Sequence, residues 1–240
     1  MDLPLTFFEL QIRFAAAIAQ RSYLSFEEAL LNFTNLYVQL VSRAFDPLHP
    51  IWQTYLMGLG QAADKVAWSY DFYQLRRESH VPSSYGCFRF NYLSATDTIR
   101  CHFVDVDTSG HGALSKQRMS VRLQELKAMF TQIKRLHGDT PTVRGNSWLY
   151  NLDAYKRLFP VPYTRTMGVV DNEFTFLSLW GQFLRRDGRV HEPLCASFLT
   201  SLRRQETFEG LLSCFPYRVL APQCPIALFY EFYEHMVLTL

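Results

Sequence analysis

His102, Asp105, Asp107 and His111 form the densest group of potential ligands and proton carriers in this chain of 240 residues. If residues 98–107 are a strand, Asp105 and Asp107 share one of its faces, because side chains alternate with period two. Two carboxylates at a strand end can hold Mg²⁺ through hard oxygen ligands, or divide into a nucleophile and an acid. The same pair reads as two solvated acids capping a strand and its loop. Further along, Gly145-Asn-Ser147-Trp-Leu149 has the first glycine and the serine of a nucleophile elbow. The second glycine is missing, so the sharp turn that exposes the hydroxyl is not encoded; a structural turn with Trp148 packed into a core is the competing reading. Gly58-Leu-Gly60-Gln-Ala-Ala63 has the spacing of a dinucleotide-binding turn, which works only between a strand and a helix. Here a helical pattern runs into it. Arg185-Arg-Asp-Gly188-Arg-Val190 precedes a helical pattern from Glu192, and the unpaired amides of a helix start suit phosphate oxygens. Pro193 removes one of those donors.

The elements that must position these residues follow from periodicity. Residues 1–80 read as helical. Thr6-Phe-Phe-Glu9 and Ser25-Phe-Glu-Glu28 each fit a capping box. Leu30, Phe33, Tyr37, Leu40, Val41 and Ala44 then fall on one helical face. Asp46–Pro50 breaks the pattern and Pro50 suits the first position of another helix, which Gly58 and Gly60 interrupt or bend. The aromatic alternation of Tyr85–Leu93 predicts a strand, and Thr98–Asp107 a stronger one. A loop, Thr108–Gly112, leads to a long amphipathic helix over Ser115–His137, with Met119, Leu123, Leu126, Met129, Phe130, Ile133 and Leu136 as its buried stripe. Gly138 and Pro141 end it. Thr142–Arg144 reads as a short strand, Leu152–Phe159 as a short helix, Tyr163–Val170 and Phe174–Leu184 as extended, Arg185–Gly188 as a turn and Glu192–Arg204 as a helix. Tyr217–Leu220 reads as a strand, and Ile226–Met236 as a closing apolar helix or strand.

Three stretches resemble known families. Phe103-Val-Asp105-Val-Asp107-Thr-Ser109 resembles the D-x-D-x-T motif of haloacid-dehalogenase-type phosphatases. That resemblance implies Mg²⁺-dependent phosphoryl transfer with Asp105 as nucleophile and Asp107 as acid/base. Ser109 stands where that family has Thr or Val, no Lys follows Lys156, and Asp171-Asn172-Glu173 after Met167–Val170 is spaced imperfectly for the family's downstream acidic pair. Arg185–Val190 resembles the R-x-x-G-x-[GA] loop of GNAT acyltransferases, with Val190 in place of the last Gly or Ala. A β-branched side chain there crowds a phosphate. Residues 98–184 resemble, in the order strand, long helix, Ser147-Trp-Leu149 and Leu158-Phe-Pro160, the C-terminal part of GNAT-like acyltransferases that have a helical N-terminal domain. This resemblance implies a mixed-sheet α+β fold and acyl-coenzyme A as cofactor. The backbone near Gly188 and the side chains of Arg185 and Arg189 would then hold its phosphates. Ser147, Tyr150 or His111 would serve the amine or the leaving thiolate.

Composition sets the frame. The chain is 48% hydrophobic, 15% aromatic and 19% charged, which excludes disorder. Its 37 aromatic residues supply a large core. A net charge of +2 gives no ground for nucleic-acid binding. Residues 1–80 carry 6 basic and 8 acidic groups, the remainder 18 and 14, and 19 of the 24 cations are Arg. No apolar run reaches the ~18 residues of a membrane span. Met1-Asp2 with Glu9 and Arg13 does not make a secretory signal. Five scattered cysteines fit reduced thiols in a cytoplasmic protein. The expectation is an α+β protein, a helical region over residues 1–80 packed on a GNAT-like mixed-sheet domain over 81–240, sharing one continuous core. Its function reads as an acyl-coenzyme A-dependent acyltransferase or an inactive relative. The alternatives are the phosphatase and a non-enzymatic binding or assembly protein. A small-molecule ligand and a homodimer are the expected partners, with no nucleic acid, no membrane and no resident metal.

Overall fold

The computed structural model describes residues 3–42, 44–76, 85–172, 174–185 and 187–235. In chain order the helices are α1 (Leu5–Gln20), α2 (Phe26–Phe33), α3 (Leu36–Leu40), α4 (Pro50–Gln61), α5 (Lys65–Gln74), α6 (Met119–His137), α7 (Asp153–Lys156), α8 (Val161–Arg165), α9 (Leu177–Trp180), α10 (Glu192–Arg204), α11 (Phe208–Leu212) and α12 (Ala227–Glu234). The strands are β1 (Phe88–Leu93), β2 (Thr98–Phe103), β3 (Thr142–Arg144), β4 (Gly168–Val170), β5 (Val219–Ala221) and β6 (Gln223–Pro225). The class is α+β. None of the described helices is long and apolar enough to cross a membrane.

The chain forms two compact units, one of residues 1–80 with 172–217, the other of 81–171 with 218–240. The helical region of residues 1–80 is therefore completed by a later stretch of chain. In this first unit α1 buries Phe7, Phe8, Phe14 and Ile18. Phe14 and Trp180 meet edge to face at 5.7 Å, and both rings contact Phe198 and Phe215. Each such side chain contributes roughly 1.5–3 kcal/mol by leaving water. This packing explains a correction: Phe174–Leu184, expected to be extended, instead runs through α9 and a 3-10 turn at Gly181–Phe183. Helical winding puts both Trp180 and Phe183 into the aromatic cluster.

Ser25 caps α2 with a complete capping box, but Thr6 caps nothing, because α1 already starts at Leu5 behind Pro4. The expected long face over Leu30–Ala44 is broken at Thr34 and Asn35. Their side chains go to Leu30 O and Thr175 O, and Asn35 N–H donates to Gln11 at 2.6 Å. Pro50 opens α4, which runs unbroken through Gly58 and Gly60. A side chain at Gly58 would collide with the Trp68 ring.

The second unit holds the four-stranded sheet β1-β2-β3-β6, with β1–β2 and β3–β6 antiparallel and β2–β3 parallel. A parallel pair needs a crossover, and α6 supplies it. Gly138 ends α6 at φ +70°, a conformation that suits glycine. Phe88, Ile99, Val143 and Cys224 face the core, together with Leu126, Met129, Phe130 and Ile133 of α6 and Phe229 and Tyr233 of α12. Met119 is half-buried and Leu136 exposed, so the stripe of α6 is shorter than expected. By alternation, Arg89 and Asn91 of β1, Arg100 and His102 of β2, Arg144 of β3 and Gln223 of β6 point the other way. β4 and β5 form a separate antiparallel ribbon. Residues 163–170, expected to be extended throughout, contain the end of α8 before β4. The stretch 152–159 holds a shorter helix, α7, than expected, and Ile226–Met236 resolves as helix α12, Met236 itself lying outside the described residues.

Candidate functional site

Parallel strands tend to place ligands beyond their carboxyl ends, so the ends of β2 and β3 are the first place to look. The two strands pair only over Thr98–Arg100 and Thr142–Arg144. Beyond that register they part. β2 stays with β1, and Val104 N–H donates to Cys87 O at 2.8 Å. The chain after β3 turns to the ribbon, where Gly145 N–H donates to Pro222 O at 2.9 Å and Ser147 exchanges both backbone bonds with Leu220.

Tyrosines fill the space between the parted ends. The Tyr150 and Tyr163 hydroxyls lie 2.8 Å apart and occupy the position that a side chain on Gly145 would take. Tyr150 packs on Tyr155, and Tyr155 packs edge-on against Phe103 at the end of β2. All three tyrosines are at most 2% exposed. Burial pushes each of these phenols well above its usual range; the neighbouring Tyr163 hydroxyl adds to this at Tyr150, whereas at Tyr163 the hydrogen bond to Tyr150 partly offsets it. Tyr150 is therefore a neutral core residue and not a solvent-facing acid. Burial also lifts the thiol of neighbouring Cys101 to about 12.

Each candidate from the sequence has a definite place. β2 ends at Phe103, so Asp105 and Asp107 lie in the irregular stretch that follows and do not share a strand face. Asp107 N–H donates to Asp105 Oδ1 at 3.2 Å. The Asp107 carboxylate is buried; it accepts from Ser109 N–H at 2.8 Å and pairs with Arg118 at 2.6 Å and Arg122 at 3.0 Å. The Ser109 hydroxyl and amide, then Arg118, hold its carboxyl far below the usual range. A carboxylate so fully engaged is a poor proton carrier. Arg122, 2% exposed, also pairs with Glu125 at 2.9 Å and touches Cys87 Sγ. Glu125 in turn accepts from Cys87 N–H at 3.1 Å, while burial raises its carboxyl. This ion network ties the loop after β2 to α6 and to the start of β1. No three His, Cys, Asp or Glu among the described residues are placed to hold a metal.

His111 is exposed in the loop before α6, and His102 is half-buried opposite Arg89 on the sheet. Ser147 Oγ accepts from Leu149 N–H at 3.1 Å and so caps the 3-10 turn Trp148–Asn151. Trp148 is half-buried. Asp171 pairs with Arg218, and Glu173 lies outside the described residues.

The segment 185–190 belongs to the helical unit and closes on itself. Arg185 N–H donates to Arg189 O at 2.8 Å and Gly188 N–H to Arg185 O at 3.1 Å. The Arg189 guanidinium and amide both go to Asp187; Arg186 lies outside the described residues. The amides meant for phosphate are thus already used, and the segment before them is helical. Gly58–Ala63 sits in and just after α4, with no strand ahead of it among the described residues, so a helix and not a strand leads into it and a dinucleotide turn is not formed.

Sequence reasoning missed Arg100 and Arg144, exposed neighbours in the β2–β3 register. Their signal was the outward position of Arg in two short strands. Beside Arg144 a groove of about 330 Å³ opens, lined also by Thr166, Gly168, Val169, Val170 and Gln223. No family model, no curated protein and no solved structure matches the chain.

Proposed function

We propose that the α+β unit is a GNAT-like relative that keeps the sheet of an acyltransferase, has filled the coenzyme gap, and acts as a binding module. The Tyr150–Tyr163 pair, lodged against Gly145 between the diverging β2 and β3, carries this reading. Strand order and direction support the resemblance, since an antiparallel, a parallel and an antiparallel neighbour follow one another with a long helix between the parallel strands. In an active relative the gap would receive acyl-coenzyme A; here it receives phenol rings. Ser147 acts as a turn cap and Asp107, the acid/base of the phosphatase reading, as an ion-pair anchor, so each candidate chemistry has given up one group to structure. Calorimetry of the intact chain with acetyl- and longer acyl-coenzyme A tests this. The expected result is no binding heat and no thermal shift at millimolar ligand. Saturable binding of one equivalent would restore the acyltransferase reading, with His111 and Ser147 as the residues to vary next.

A further inference from the structure

The outward face of the four-stranded sheet carries its own charge problem. Its strands contain Arg89, Arg100, His102 and Arg144, and no Asp or Glu in any of the four. Arg100 and Arg144 are direct partners in the parallel register and both are exposed. Adjacent strands lie about 4.8 Å apart, so the two arginine side chains leave the sheet from neighbouring points, and like charges on directly opposed residues repel. A bound anion removes that cost. Guanidinium forks suit carboxylates in bidentate geometry.

The neighbouring groove narrows the class of anion. It begins at Arg144 and crosses Gln223 and Ala221 to Gly168–Val170 of β4, whose Val169 is 54% exposed. β4 pairs with β5 on one side only, among the described residues. An open strand edge accepts another strand through its backbone groups. The outward sheet positions named above include no Phe, Tyr or Trp, the rings on which successive bases stack. We infer that the Arg100–Arg144 face and the β4 groove together dock a short, acidic, extended segment of a partner protein, with acidic side chains on the arginines and apolar ones toward Val169. This rests on the reading of the unit as a binding module.

A fluorescein-labelled peptide of eight alternating Glu and Val residues is the probe, followed by anisotropy on the intact chain. The expected result is saturable binding, about tenfold weaker in Arg100→Glu and in Arg144→Glu and unchanged in Arg135→Glu, an exposed change on α6. Equal binding by all variants, or no binding, overturns the inference. So does full competition by millimolar inorganic phosphate, which would mark a general anion site, or tighter arginine-dependent binding of a single-stranded oligonucleotide. Acetyl-coenzyme A binding would defeat the binding-module reading separately, whereas a silent peptide with silent coenzyme defeats only the docking site.

Discussion

At the scale of residues, the most consequential side chain is Arg122. It is 2% exposed and shared by Asp107 and Glu125. Arg122→Ala leaves Glu125 without its buried counter-charge and Asp107 with Arg118 alone, and is expected to cost about 3–5 kcal/mol in urea unfolding. Asp107 makes the acid limb testable. Its folded carboxyl is depressed, so its contribution is complete above the unfolded value of about 3.9 and is lost as pH falls below it. The stability gap between the native chain and Asp107→Asn should therefore shrink on acidification below about pH 4, as read from urea midpoints. Arg122 was hidden in the sequence because an arginine between stripe positions of a helix reads as solvated; only the return of Asp107, fifteen residues upstream, makes it a core residue. Asp105 and Asp107 were visible as a pair, but their roles depended on partners in α6 that no local pattern supplies.

At the scale of elements, Gly145 is the pivot at which β3 leaves β2. Gly145→Ala drives a methyl group into both the Tyr150 and Tyr163 hydroxyls and is expected to destabilise the chain by about 1–3 kcal/mol in the same assay. Ser25→Ala should cost about 1 kcal/mol, since it removes the hydroxyl that accepts from Glu28 N–H and leaves only the Glu28 carboxylate on the backbone amide of residue 25. Locally encoded elements were legible: the Ser25 cap, Pro50 at the start of α4, and Thr142–Arg144 and Glu192–Arg204 with the bounds read from the chain. Phe174–Leu184 was not. Its alternating apolar residues have the period of a strand, and the decision for helix comes from Trp180 meeting Phe14, Phe183, Phe198 and Phe215. The turn after it then lost the strand that a coenzyme loop requires.

At the scale of the whole molecule, the chain is organised around buried aromatic rings, and its tyrosines record that in their titration. Tyr150, Tyr155, Tyr163 and Tyr233 are buried with raised phenols. An acid whose folded value is raised lends stability in full below its unfolded value of about 10, and loses it as pH rises through the folded value. Absorbance titration should accordingly show a set of tyrosines that ionise only with alkaline unfolding, and not in a single step near pH 10. The phosphate loop was expected around Gly188, whereas the parallel strands part after Arg100 and Arg144, because strand pairing is a long-range property that a loop motif does not report. Whether that gap is filled or merely vacant decides the account. The most direct measurement is an amide chemical-shift map of the isotope-labelled chain during addition of acetyl-coenzyme A. Phe103, Gly145 and Ser147 are expected to stay in place at millimolar ligand; saturable, one-to-one shifts at those three amides would contradict the account.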